Sequence, residues 1–189
     1  IIDREARLLR PANYPPGAPG RGAGVFTGAG GVRIGVINLL GRVFLQPLDC
    51  PFRRLDEEVR LLERSARVIL VDLHAEATSE KAALARYADG RVSAVLGTHT
   101  HVPTADERIL PRGTAFLTDV GMTGAPDSIL GRKVEPVLRS FLTGLPSVFE
   151  IESAPVEVQG AVVEIDPESG RAAAIRRLRE SDPVARGGA

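Results

Sequence analysis

The chain holds three histidines, and each follows an apolar run. His74 comes directly after Val68–Leu73. His99 and His101 follow Val92–Leu96 across Gly97 and Thr98, with one residue between them. Imidazoles gathered in this way suit a transition-metal site. On an extended strand, residues two apart point the same way. Where a strand turns into loop they diverge, and each imidazole then serves a different ion of a close pair. A catalytic two-metal site also needs carboxylates, with the ions roughly 3.5–4 Å apart. Glu76 and Asp119 are the carboxylates weighed for this, and neither has an obvious claim to bridge the ions. Thr98 and Thr100 offer hydroxyls that either steady the loop or orient the imidazoles. Glu76 and Thr78 sit beside His74 at a helix start, where capping and anion contact are both open. Asn13, in a proline-rich loop, either forms a turn or reaches the site. Cys50 has no histidine near it in sequence and reads as a structural thiol.

The elements that must bring these residues together follow from periodicity. Phe52–Arg67 reads as a helix, because Leu55, Val59, Leu62 and Ala66 recur at helical spacing with charges between them. Val68–Leu73 is a strand, Ser79–Ala88 a second helix capped by Thr78 or Ser79 and closed by Gly90, and Val92–Leu96 the next strand. Strand, helix, strand with short connections is a βαβ unit, so the two strands are expected to be parallel neighbours. Ligands collect outside the carboxyl ends of such strands. His74 and His99 are therefore expected on one edge.

The rest reads mostly as hairpins. Gly24–Thr27 and Val32–Leu39 flank a glycine turn, with a short extended piece at Val43–Leu45. Glu107–Leu110 and Thr114–Thr118 flank Pro111-Arg112-Gly113. Asp119–Gly124 is a glycine-rich loop returning to the histidine edge. Val134–Leu142 reads as a helix with Val134, Val137, Leu138 and Phe141 on one face. Strands are expected at Ser147–Glu152, Glu157–Ile165 and Ala172–Leu178, with Asp166–Gly170 turning the last pair. The order reads as one domain over residues 1–189, with Pro183–Ala189 a frayed end.

Composition narrows the class. Arginine plus lysine and aspartate plus glutamate both number 24, so the formal net charge is zero. That argues against a broad surface tracking nucleic-acid phosphates. No run approaches the roughly 18–20 apolar residues a membrane crossing needs. The single cysteine excludes an internal disulfide and fits a reducing, cytoplasmic compartment. The chain opens Ile1-Ile2-Asp3-Arg4 with neither methionine nor a signal-peptide pattern, so a longer protein is expected.

Gly97-Thr98-His99-Thr100-His101 resembles the Gly-x-His-x-His block of calcineurin-like metallophosphoesterases, and His74 matches the isolated histidine of that pattern. Longer blocks resemble one branch, the YmdB-like phosphodiesterases of bacteria. They are Arg10–Asn13, Val36–Leu39 with Gly41-Arg42, Asp72–Lys81, Asp89–Arg91, Val95–Val102 and Thr118–Gly124. The resemblance covers most of the chain and weakens after about Leu145. It implies a four-layer α/β/β/α sandwich, here lacking its amino-terminal strands. It implies two divalent or trivalent metal ions, iron or manganese first and zinc next. His74 and His99 would bind one ion and His101 the other, with Asn13, Glu76, Thr78 and Thr100 on the substrate side. It implies hydrolysis of phosphodiesters, 2′,3′-cyclic nucleotides above all, by a hydroxide bridging the ions. The partners expected are this small phosphodiester and RNA-derived nucleotides, with no membrane; homo-oligomers stay open. The aspartate, bridging glutamate, asparagine ligands and general-acid histidine of the pattern have no match in these residues. They are expected upstream of Ile1, and these 189 residues alone are expected to be inactive and to bind metal weakly.

Three rivals remain. An amidohydrolase barrel also uses His-x-His but continues with βα units, whereas hairpins follow here. A capsule-assembly-type relative shares the histidine layout, and the glycine loop at Asp119–Gly124 fits it less well. A regulatory metal- or nucleotide-binding module without catalysis would keep the histidines and lack the upstream ligands.

Overall fold

Burial alternates along Ile69–His74, and this alternation sets the layers. Ile69, Val71 and Leu73 point to one face, and Leu70, Asp72 and His74 to the other. The first face packs on helices. The second packs on another sheet below and carries the site above.

The computed structural model describes residues 1–153 and 155–181. Strands β1 (Ala23–Thr27), β2 (Arg33–Leu40), β3 (Val68–His74), β4 (Ala94–Thr98), β5 (Arg108–Ile109) and β6 (Ala115–Leu117) form a six-stranded sheet in the order β1-β2-β3-β4-β6-β5. β2, β3, β4 and β6 run parallel, while β1 and β5 are antiparallel edges. Helices α1 (Pro51–Leu62) and α2 (Thr78–Ala88) are the crossovers between β2 and β3 and between β3 and β4. A second sheet holds β7 (Thr123–Gly124), β8 (Glu157–Ile165) and β9 (Ala172–Ser181), all antiparallel. Helix α3 (Val134–Thr143) lies between β7 and β8 in the chain.

The main core joins Leu55, Val59 and Leu62 of α1 and Leu84, Ala85 and Ala88 of α2 to Ile37, Leu39, Ile69, Val71, Leu73 and Val95 of the sheet. Each leucine, isoleucine or valine among them contributes on the order of 1.5–3 kcal/mol on full burial. On the other face, Ala94 and Ala115 meet Ala172, Val163 and Ile175 of the second sheet, with Leu70 and Leu96 beside them. The βαβ unit, both hairpins and the β8–β9 pair stand as the periodicity predicts.

Several local expectations give way. Ser147–Glu152 is no strand; Ile151 alone makes an isolated bridge, to Arg132. Val148 is 83% exposed and Ile151 69%, so no sheet covers the segment and its alternation has nothing to pack on. Val43–Leu45 is a turn, because the Glu80 carboxylate accepts the amides of Arg42 and Val43 and bends the chain there. Helix α2 starts after Ala77, with no side-chain cap from Thr78 or Ser79. Helix α1 ends at Leu62, and Ala66 reaches the core from the turn that follows. Of the expected apolar face of α3, Val137 alone is buried, and Phe141 is 80% exposed. The expected frayed end at 183–189 lies outside the described residues.

Candidate metal centre at the ends of β3 and β4

Register places the site. Parallel pairing sets Asn38 beside Asp72 and Leu40 beside His74 across β2 and β3. It sets His74 beside Thr98 across β3 and β4. Paired residues share a face, so Asn38, Asp72, His74 and Thr98 converge on one side at the carboxyl ends.

They form a directed hydrogen-bond chain. Asn38 Nδ2 donates to Asp72 Oδ2 at 2.6 Å, and Thr98 Oγ1 donates to Asp72 Oδ1 at 2.9 Å. The threonine proton is thereby committed. Its oxygen must then accept from His74 Nδ1, 3.1 Å away. This assigns the His74 proton to Nδ1 and leaves Nε2 as a bare lone pair. Nε2 faces His99 Nδ1 at 2.9 Å. The two rings meet edge to face, with centroids 4.7 Å apart. His99 Nε2 lies 3.0 Å from Glu76 Oε2, a contact that holds when a proton lies between them. Burial first, and the neighbouring His99 next, press the His74 imidazole below its ordinary pKa. The ring is therefore neutral near pH 7, the form that ligates metal.

The backbone is strained at the same place. Among the described residues, four non-glycine residues have positive φ: Phe44, His99 at 113°, His101 at 66° and Leu130. Such conformations cost of order 1–3 kcal/mol and persist where the surroundings impose them. Here two anchors do so. Gly97 lets the Thr118 strand end pass against β4, since a Cβ at Gly97 would overlap the Thr118 carbonyl oxygen. Asp119, fully buried, then reaches under the histidine loop. Its Oδ2 accepts from Lys81 Nζ at 2.8 Å, Thr100 Oγ1 at 2.8 Å and the Thr100 amide at 3.0 Å. Its Oδ1 accepts the Gly121 amide. Burial alone would raise the Asp119 carboxyl. The hydrogen bonds from Lys81, Gly121 and Thr100 outweigh it and hold the group below its ordinary range.

The predicted site residues thus separate. His74, His99 and Glu76 come together, with Thr98 orienting His74. His101 is exposed and lines a separate opening beside Met122 and Leu130. Thr100 is tied down to Asp119. Asp119 points inward to Lys81 and away from any bridging position. Thr78 lies at the first turn of α2. Asn13 is fully buried: its Nδ2 donates to the carbonyls of Leu40 and Asp49, and its Oδ1 accepts the Leu40 amide. It fixes the end of β2, whose Leu40 pairs with His74, and has no polar group left for a ligand on the donor side. Sequence reasoning missed Asp72, Asn38 and Lys81. Asp72 carried a signal, since a carboxylate two residues before a histidine on a strand shares its face.

The donor set fits a transition metal in kind. Two imidazoles converge, and the tautomer of one is fixed from behind by a hydroxyl and a carboxylate, as metal-ligating histidines usually are. Asn38 Oδ1, one hydrogen bond behind, is buried without a donor among the described residues. In number the set is short: among the described residues, no three histidine, cysteine or acidic side chains are grouped to hold an ion.

The chain is similar to known proteins along most of its length. A Bacillus subtilis protein named 2′,3′-cyclic-nucleotide 2′-phosphodiesterase is 49% identical over 182 residues, covering 96% of this chain and 69% of its own length. A crystal structure of a hypothetical protein from Thermus thermophilus is 49% identical with a TM-score of 0.84, over 93% of this chain and 68% of that one. A novel phosphatase from Mycoplasma pneumoniae superposes with a TM-score of 0.86 at 34% identity, over all of this chain and 69% of that one. The family model described as YmdB-like protein matches residues 1–178. The chain belongs to the YmdB-like family.

Proposed function

We propose that the chain is the histidine-bearing part of a metal-dependent phosphodiesterase that hydrolyses 2′,3′-cyclic nucleotides in a cytoplasmic setting. The observation that carries the reading is the His74–His99 pair, with His74 Nε2 left bare by the Asp72–Thr98–Nδ1 chain. The name of the Bacillus subtilis relative supports the reaction and the substrate class.

His74 and His99 would hold one ion and His101 would face a second, with iron or manganese the expected metals and zinc an alternative. Bound there, the ions supply positive charge to the phosphoryl oxygens and lower the pKa of water. The chain's own residues perform the rest. Thr98 and Asp72 keep His74 in one tautomer. Asp119 and Lys81 hold the strained histidine loop. Glu76 Oε2, 3.0 Å from His99 Nε2, orients the His99 ring. Three protein donors of one type do not complete a two-ion site, so these residues, taken alone, are inactive and bind metal weakly.

The test is hydrolysis of 2′,3′-cyclic AMP by the intact protein supplied with iron or manganese. His74→Ala and His99→Ala each abolish turnover under this reading. Full activity in either variant, or none in the wild type with iron, manganese or zinc supplied in turn, sinks it.

A further inference from the structure

The opening beside His101 is a built cavity of about 330 Å3, within the roughly 300–1,000 Å3 typical of small-molecule sites. Its apolar lining comes from Met122, Leu130 and Ile151. Its polar lining comes from His101, Arg132 and Glu152. Leu130 is 49% exposed and Ile151 69%, so apolar surface faces solvent directly beside the histidine loop. His101 is two residues from His99, a span of at most about 7 Å along the chain.

The wall is held in shape. Ile129 and Arg132 exchange backbone hydrogen bonds of 2.9 and 3.0 Å across a tight turn. At its tip Leu130 and Gly131 both take positive φ, 52° and 84°. The Gly131 amide donates to Ser128 Oγ, and the Glu152 amide donates to the Gly131 carbonyl. A leucine in the left-handed region with its side chain in water is unfavourable twice over, in backbone strain and in exposed apolar area. The scaffold holds it there, in one cavity with His101.

The polar groups have unused capacity. Arg132 commits Nη1 to the Phe149 carbonyl and keeps its other donors. Glu152 accepts the Ser153 amide on Oε1, and its Oε2 has no partner among the described residues.

We infer that this cavity is the base subsite: it receives the heterocyclic base of a nucleotide whose phosphate lies at the His74–His99 pair. The inference rests on the phosphodiesterase reading and deepens it. A nucleobase is a flat ring with apolar faces and a polar edge. Met122, Leu130 and Ile151 meet its face. Glu152 accepts from an exocyclic amino group, and Arg132 donates to a ring nitrogen or carbonyl. The subsite therefore favours amino-bearing bases over uracil.

The test uses the intact protein and two five-membered cyclic phosphodiesters, 2′,3′-cyclic AMP and the base-free 1,2-cyclic glycerophosphate. Binding of 3′-AMP is measured alongside by calorimetry. Ile151→Glu puts a charge against the ring face at a solvent-exposed position. It should lower kcat/KM for cyclic AMP and weaken 3′-AMP binding about tenfold, with cyclic glycerophosphate hydrolysis unchanged within about twofold. Glu152→Gln should narrow the preference for cyclic AMP over cyclic UMP. Loss of both substrates together, loss of neither, or 3′-AMP affinity equal in wild type and Ile151→Glu overturns the subsite. So does a shift produced by Phe44→Ala and absent from Ile151→Glu, which would put the base on the other strained loop. If the wild type hydrolyses neither compound while Ile151→Glu still weakens 3′-AMP binding, the catalytic reading fails and the base subsite stands.

Discussion

His74 Nδ1 stands 3.1 Å from Thr98 Oγ1, and this one hydrogen bond decides which imidazole nitrogen faces His99. The hydroxyl acts as a directed relay because Asp72 already accepts its proton. A hydroxyl free of such a commitment could donate to Nδ1 instead and would leave Nε2 protonated. The site therefore depends on residues that no ligand touches.

Thr98→Val keeps the shape of the side chain and removes the relay. The protein should fold normally and bind metal about 10–100-fold more weakly. Thr98→Ser should restore affinity. Competition titration with a chelator of known affinity reads both, and wild-type affinity in Thr98→Val would show that the relay does not matter.

The Lys81–Asp119 pair is buried on both sides, at 1% and 0% side-chain exposure. Lys81→Met leaves a carboxylate unpaired in the interior and should cost about 3–5 kcal/mol in urea unfolding. The pH dependence has a definite sign. Asp119 titrates below its ordinary value when folded, so its stabilisation is complete above the unfolded value and is lost as pH falls through the folded one. The gap between wild type and Lys81→Met should shrink as the solution is taken from neutral into acid. A gap that widens in acid contradicts the pairing.

Gly97→Ala asks for room that does not exist, because the new Cβ would overlap the Thr118 carbonyl oxygen. Backbone must move, and overpacking of this kind costs about 1–3 kcal/mol or more. The displacement falls on the strand that delivers Asp119 to the histidine loop. Metal affinity should fall along with the urea midpoint. A variant with normal stability and normal affinity would mean that β4 and the Thr118 segment separate easily.

Asn13→Leu removes the partner of the part-buried Leu40 amide and of the Leu40 and Asp49 carbonyls, at about 1–3 kcal/mol for each group that water does not reach. The loss should appear in stability, with catalytic constants near wild type at temperatures where the variant stays folded. A raised KM with unchanged stability would instead return Asn13 to the substrate side.

The strands were legible because β-branched runs of five or six residues between turn signals leave little else for the chain to do. The shared edge of His74 and His99 was legible too, since a short strand–helix–strand order permits one handed crossover. The ligand-orienting residues were less so. Asp72 declares itself by period two, but Asn38 needs the β2–β3 register, which no local pattern contains. Lys81 and Glu80 read as ordinary charges on an amphipathic helix, and both are buried by loops that arrive from elsewhere: the Asp119 segment and the turn at Arg42–Val43. Ser147–Glu152 failed in the opposite way. Its alternation suits a strand, but a strand also needs a neighbour, and among the described residues only Arg132 supplies a bridge.

Elemental analysis of the intact protein, purified without chelator from medium containing iron, manganese and zinc, separates a metal centre from a histidine pair that serves structure alone. About two such ions per chain are expected, with metal lost from His74→Ala and His99→Ala while their far-ultraviolet spectra stay unchanged. A wild-type protein that emerges folded and free of metal would contradict the metal centre, and the bare lone pair on His74 would then need another explanation.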